Sequence, residues 1–286
     1  MTFVADIGEV TLRMAAFSGI LALMAIVEAL VPRRERVVSR GRRWVTNMAI
    51  IFIDSIAVRL VFPVAVVGTA LWAEQAGFGL FNQMSVPGWI AGLIAFVVLD
   101  FLIWLQHLVF HKVPVLWRVH RMHHTDVDFD VTTALRFHPI EILMSVAIKM
   151  AAVVLLGAPA LAVFLFEVVL NGMAIFNHAN ARLPLWLDRV LRVFIVTPDM
   201  HRVHHSILNR ETDSNFGFNL SLWDRLFGTY VPQPKGGHDG MTIGLSEAQH
   251  TGPTQLVWTL LVPFRSLSRR PDVSRAHEDP ATSKGQ

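Results

Sequence analysis

Five stretches of this chain are long and apolar enough that a bilayer is their natural surroundings. They cover residues 15–31, 47–71, 89–106, 140–156 and 158–176, each near the roughly 20 residues a helix needs to cross about 30 Å of hydrocarbon. Lipid offers no partner for a backbone N–H or C=O, so a spanning segment must satisfy its hydrogen bonds internally, as a helix does. The composition agrees: 53% of the 286 residues are hydrophobic, 16% are charged, and the mean hydropathy is +0.46. An ordinary soluble domain carries about 25% charged residues. The expected fold class is therefore all-α, a multi-span integral membrane helical bundle.

The basic residues set its orientation. Arg33, Arg34, Arg36, Arg40, Arg42 and Arg43 follow the first span, whereas residues 72–88 contain no Lys or Arg. The positive-inside rule then puts residues 32–46 in the cytoplasm and residues 72–88 outside. A cleaved leader would carry its charge before the apolar run, so the first span reads as retained, with Glu28 near enough to its end to meet the arginines. The net charge of +3 and pI near 9.8 could suggest nucleic acid, but the arginines flank apolar spans and no nucleic-acid partner is expected. The fourth and fifth spans form a hairpin turning at Gly157 and Pro159, either crossing fully or dipping in and returning. Residues 257–267 are apolar but short, fitting an interfacial helix. Residues 268–286 are charged and rich in Pro and Ser, for which disorder is the default.

Histidine is the second constraint. His107 and His111 stand one turn apart at the inner end of the third span, and His120, His123 and His124 follow at i, i+3 and i+4. The same HxxHH spacing returns at His201, His204 and His205. Each group projects several imidazoles from one helical face. They form a histidine-rich helical cap on the cytoplasmic side, facing the cytoplasm at the inner membrane yet touching lipid.

The chain has no cysteine, which excludes disulfides, thiolate zinc sites and cysteine-ligated clusters. Eight imidazoles exceed the four ligands of a closed zinc site, so two metal ions are implied. His178 and His138 are possible additions. Ligating imidazoles usually give their second N–H to a carboxylate or carbonyl, and Asp100, Asp126, Asp128, Asp199 and Glu141 are placed for that. Glu141 would also suit the start of a helix opened by Pro139. His238, His250 and His277 stand alone and are left out. Asp54, Arg59, Lys149 and Glu167 lie inside spans, where charge is costly; Lys149 pairing with Asp54 or Glu167 is one account, and a grip on a lipid head group is the other.

The run His107 to His111, His120 to His124, Arg136-x-His138-Pro139-x-Glu141, Asn177-His178-Ala179-Asn180, His201 to His205, Asn215-Phe216-Gly217-x-Asn219 and Trp223 to Tyr230 resembles the fatty acid hydroxylase/sterol desaturase superfamily. The likeness covers residues 99–232. It implies a non-haem di-iron enzyme that uses O₂ and two electrons to hydroxylate or desaturate an unactivated C–H position of a membrane lipid. The eight motif histidines and His178 become ligands to two iron ions, with zinc possible in purified protein. His138, Asp100, Asp199, Glu141, Arg136 and Asn180 become further ligands or partners of ligands. Ala174 stands where the fatty acid 2-hydroxylase branch has a histidine, which points to the sterol-desaturase-like branch. Residues 1–88 are then N-terminal transmembrane helices, 89–232 the catalytic domain, and 233–286 a C-terminal segment with the tail. No fused redox module is evident, so a separate electron-donor protein or reductant is expected at the basic face. Two other readings compete: a metal transporter or metal-binding membrane protein, which as a transporter should hold its ligands near the midplane on broken helices, and a zinc-dependent hydrolase, for which no HExxH motif is present.

Overall fold

The computed structural model describes residues 3–267, with side chains from residue 8 onward. Among the described residues there is no strand. Five segments are long and apolar enough to cross a membrane. They comprise α1 (Phe3–Leu30), α2 (Arg40–Val61) with α3 (Val66–Gln75), α4 (Gly88–Lys112), α6 (Pro139–Leu156) and α7 (Ala160–Asn177), while α5 (Pro114–His124) follows α4 outside the spans. The chain is a multi-pass membrane protein.

The second span departs from the continuous helix expected over residues 47–71. It stops at Phe62 and resumes at Val66, because Pro63 has no N–H to continue the ladder and its ring clashes with the preceding turn. The third is longer than expected: α4 runs on through His107 and His111, so both are helix residues on its buried face.

Local signals account for the hairpin. His138 caps α6, its Nδ1 accepting from the N–H of Ile140 at 3.2 Å, and Pro139 occupies the first helical position. Gly157 closes α6 in the left-handed region (φ 63°), which a side chain would disfavour, and Pro159 opens α7. The tip packs against residues 78–82: a Cβ on Gly79 would lie 2.3 Å from the Gly157 nitrogen. Each 18-residue arm rises about 27 Å. Since residues 78–82 join α3 to α4 at the end remote from the histidines, the hairpin crosses the full bundle.

Buried apolar residues of α3, α4, α6 and α7, among them Leu99, Val153 and Phe166, form the main core. Two short helices complete the histidine end, α8 (Leu185–Phe194) and α9 (Pro198–His204). In α8 the usual pattern is inverted: Asp188 and Arg192 are buried and ion-paired, while Leu185, Trp186, Val190, Val193 and Phe194 are exposed. A helix that turns apolar side chains outward beside a transmembrane bundle has lipid as its outer neighbour. Residues 257–267 form a shorter helix (Leu256–Leu260) and a 3-10 turn. Val262 packs on Ile50 and Met122, so the segment docks on the cap and keeps an apolar outer edge at Val257 and Phe264. The tail from residue 268 lies outside the described residues.

Candidate metal centre

The histidines of α4, α5 and α9 and those that directly follow α7 and α9 meet in two adjoining groups. The first is His107, His111, His120, His124 and His204; the second is His123, His178, His201 and His205. Within each group one nitrogen per residue lies within 4.8 Å of the others, and every member is buried. The two HxxHH motifs interleave. His120 and His124, one turn apart, go to the first group and His123 to the second; His201 and His205 go to the second and His204 to the first. Rings from different groups touch, with His124 stacked on His205 at 4.6 Å.

The hydrogen bonds settle which nitrogens face inward. His107 Nδ1 donates to the Phe216 carbonyl at 2.8 Å, His204 Nδ1 to the Ser214 carbonyl at 2.7 Å, and His178 Nδ1 to the Ala174 carbonyl at 2.7 Å. A carbonyl only accepts, so each Nε2 is left with a lone pair. His120 Nδ1 lies 2.7 Å from Glu141 Oε1, and His111 Nδ1 lies 3.3 Å from Asp213 Oδ1. The Nε2 atoms of His107, His111, His120 and His204, and both ring nitrogens of His124 and His205, are buried without a partner. Each such nitrogen costs about 1–3 kcal/mol. His178 Nε2 sits 3.2 Å from His123 Nε2 and 3.1 Å from His201 Nε2. That spacing suits nitrogens each roughly 2.1 Å from a shared ion.

The residues therefore fit a pair of metal ions bound by nitrogen. Burial, reinforced by neighbouring imidazoles, holds His123, His124, His201, His204 and His205 well below the ordinary histidine range, and burial brings His178 to about 4. Neutral imidazole is the ligating form.

Of the other residues singled out from sequence, Glu141 alone touches a clustered imidazole. His138 is spent on capping α6 and meets the Leu260 carbonyl at 3.2 Å. Asp100 accepts from Trp223 Nε1 at 2.8 Å. Asp199 is ion-paired with Arg202 and Arg33. Asn180 ties the α1–α2 connection, accepting from the Arg34 N–H at 3.1 Å and donating to the Arg34 carbonyl at 2.8 Å. Arg136 clamps the loop after α5, reaching Thr125 Oγ1 at 2.9 Å and Asn47 Oδ1 at 3.0 Å. Asp126 meets Arg43, and Asp128 accepts from the N–H groups of Val37 and Val38. Sequence reasoning missed Asp213 and the carbonyls of Phe216, Ser214 and Ala174. It also missed Asp224, which accepts from the N–H groups of Phe216 and Gly217 at 2.8 Å each and so aims the Phe216 carbonyl at His107.

A cavity of about 540 Å³ leads away from the first group. His107 and His120 form part of its wall, with Phe137 and Phe218, and it extends between α2, α6 and α7 to Arg13 and Arg59. α1 packs on α7 and α2 on α6, but α1 and α2 scarcely touch. Residues of both helices line the cavity, Arg13 and Phe17 on one side and Ile51 and Asp54 on the other, so the space between α1 and α2 is its lateral face.

Residues 92–229 match the family model described as fatty acid hydroxylase, a region holding all nine clustered histidines. Over those residues, just under half of its length, the chain is similar to the fatty acid hydroxylase family. Among curated relatives, the ornithine lipid hydroxylase OlsE of Rhizobium tropici is 33% identical over 153 residues, covering 52% of this chain and 45% of that protein. Alkylglycerol monooxygenase of Homo sapiens is 29% identical over 136 residues, covering 48% and 29%. Cholesterol 25-hydroxylase of Homo sapiens is 29% identical over 133 residues, covering 46% and 47%. The chain thus spans less than half the length of these relatives. No solved structure matches it. The matched region runs from within α4 to Thr229 and carries the histidine groups and their carbonyl partners.

Proposed function

We propose that this chain is a membrane-bound lipid hydroxylase that works with two iron ions, one in each histidine group, O₂ and two electrons. The observation that carries the reading is that His107 and His120 belong at once to a metal-type cluster and to the wall of a cavity that runs between the apolar helices. Iron bound there supplies the activation of O₂ that an unactivated C–H bond requires. The protein's own groups do the rest. Glu141 and the Phe216, Ser214 and Ala174 carbonyls hold the Nδ1 protons and fix the rings. The loop over residues 125–136, buried throughout, keeps water from the cluster. The cavity brings a lipid carbon to the first group.

The relatives named as an ornithine lipid hydroxylase, an alkylglycerol monooxygenase and a cholesterol 25-hydroxylase support a lipid substrate and hydroxylation as the outcome. Electrons come from a separate one-electron carrier docking on the basic surface of Lys112, Arg118, Arg121 and Arg210. Behind that surface the half-buried Trp117 ring lies 4.7 Å from His111 and 5.3 Å from His124. The arginines after α1 support an inner-membrane location with the histidine end in the cytoplasm.

The test is to load the purified protein with iron, supply reductant and O₂, and look for a lipid heavier by one oxygen. Comparative lipidomics of a deletion strain identifies the substrate. His123→Ala is expected to lose metal from the second group and all turnover. Full activity in that variant would overturn the ligand assignment.

A further inference from the structure

The four charged residues read inside spans from the sequence, Asp54, Arg59, Lys149 and Glu167, fall into two sets. Arg13 donates to Glu9 at 2.9 Å and pairs with Glu167 at 2.8 Å, and Lys149 meets the same Glu167 at 3.1 Å. That network is balanced, with two cations and two carboxylates. Asp54 and Arg59 remain. Among the described residues neither has a hydrogen bond or an ion pair, although both line the cavity.

Asp54 is 5% exposed and its Oδ1 is buried without a partner. Glu141, on the same cavity wall, spends Oε1 on His120 and leaves Oε2 buried and unpartnered. An unmatched carboxylate in the bilayer interior is costly, and two in one cavity repel. Both are relieved by a ligand that brings a positive charge with several N–H donors, which a primary ammonium does with three. Arg59 lies five residues beyond Asp54 on α2, about 7.5 Å further along the axis, and offers a guanidinium for an anionic group.

We propose that the cavity takes its lipid head-first and recognises a zwitterionic head group, the ammonium seated between Asp54 and Glu141 Oε2 and the anionic group at Arg59. This rests on the hydroxylase reading and names its substrate class. A volume of about 540 Å³ holds a head group and the first part of a chain, so the tails trail through the gap between α1 and α2. Because Glu141 also holds His120, the position attacked lies within a few bonds of the head group rather than at the chain terminus.

The experiment measures binding of four amphiphiles with one common acyl chain to the full-length protein in nanodiscs, with and without iron. They are N-palmitoyl-lysine, its amine-acetylated form, its methyl ester, and palmitoylglycerol. The wild type is expected to bind N-palmitoyl-lysine about tenfold or more tighter than the acetylated form. Asp54→Asn should abolish that preference and Asp54→Glu retain it. Arg59→Gln should abolish discrimination against the methyl ester while leaving the preference for the free amine. Equal wild-type binding of all four, or an amine preference that survives Asp54→Asn, would overturn the proposal. If Asp54→Asn fails to fold, the wild-type series and Arg59→Gln decide alone. Hydroxylation of palmitoylglycerol without any amine preference would sink the head-group site and leave the hydroxylase reading standing. An amine preference without oxygenated product from any probe would do the reverse.

Discussion

Glu141 is where a single side chain has the most to answer for. Its Oε1 fixes the Nδ1 proton of His120 and so the direction of the Nε2 lone pair. Glu141→Gln keeps the shape but removes the charge, and loss of such a partner typically weakens metal affinity 10–100-fold. Chelator competition followed by metal analysis should show one ion leaving Glu141→Gln early while the His123 group keeps its own. Unchanged affinity for both ions would remove Glu141 from the positioning role. Asp100→Asn is the contrast: it loosens Trp223 and should leave metal affinity alone. The histidines themselves were legible, because i, i+3 and i+4 spacing on a helix is written directly in the sequence. Their partners were less so. Asp100 lies seven residues before His107 on the same face yet points to Trp223. Three of the acceptors are backbone carbonyls, which leave no mark on residue identity; Ala174 serves His178 through an atom every residue has.

At the scale of elements, a charged knot holds the loop after α5 over the cluster. Arg43 on α2 reaches Asp126 Oδ1 and Oδ2 at 2.7 Å each and Asp130 Oδ2 at 2.6 Å, with all three residues buried. Burial works to raise the Asp126 carboxyl, and the charge and hydrogen bonds of Arg43 overcome it, bringing it down to about 2. Arg43→Met strands two buried carboxylates and is expected to cost about 3–5 kcal/mol. Arg43→Met with Asp126→Leu and Asp130→Leu should recover most of that. Thermal unfolding in detergent measures both, and a single variant as stable as wild type would refute the account. Sequence located the arginines and the nearby Glu28, which Arg40 meets at 2.9 Å, but not the Arg43 pairs, since those partners lie more than 80 residues away. The span count was right because hydropathy reports it directly. The break at Pro63 and the inverted α8 were not anticipated: the first was hidden in a continuous apolar run, and the second reveals itself only when burial shows which face is outside.

For the molecule as a whole, the two approaches to the histidines lie on different sides. In the proposed reaction lipid comes through the α1–α2 gap, and the carrier meets the basic surface beside Trp117. A docking step between opposite charges weakens as salt screens it, over about 10 Å at 0.1 M. With a reduced, acidic [2Fe–2S] ferredoxin as probe, the rate of ferredoxin oxidation should fall with ionic strength, and Arg118→Glu should slow it at low salt. A rate indifferent to both would move the entry point elsewhere.

The lateral face of the cavity has a kinetic corollary. An enzyme fed through the wall of its own helices samples neighbours in a two-dimensional fluid, so what it experiences as abundance is mole fraction in the leaflet. Adding inert phospholipid to vesicles at a fixed total amount of enzyme and substrate should therefore slow turnover, though nothing in the surrounding water has changed. A rate that followed bulk molarity instead would mean that lipid arrives from solution, and that the slot between α1 and α2 is closed to traffic.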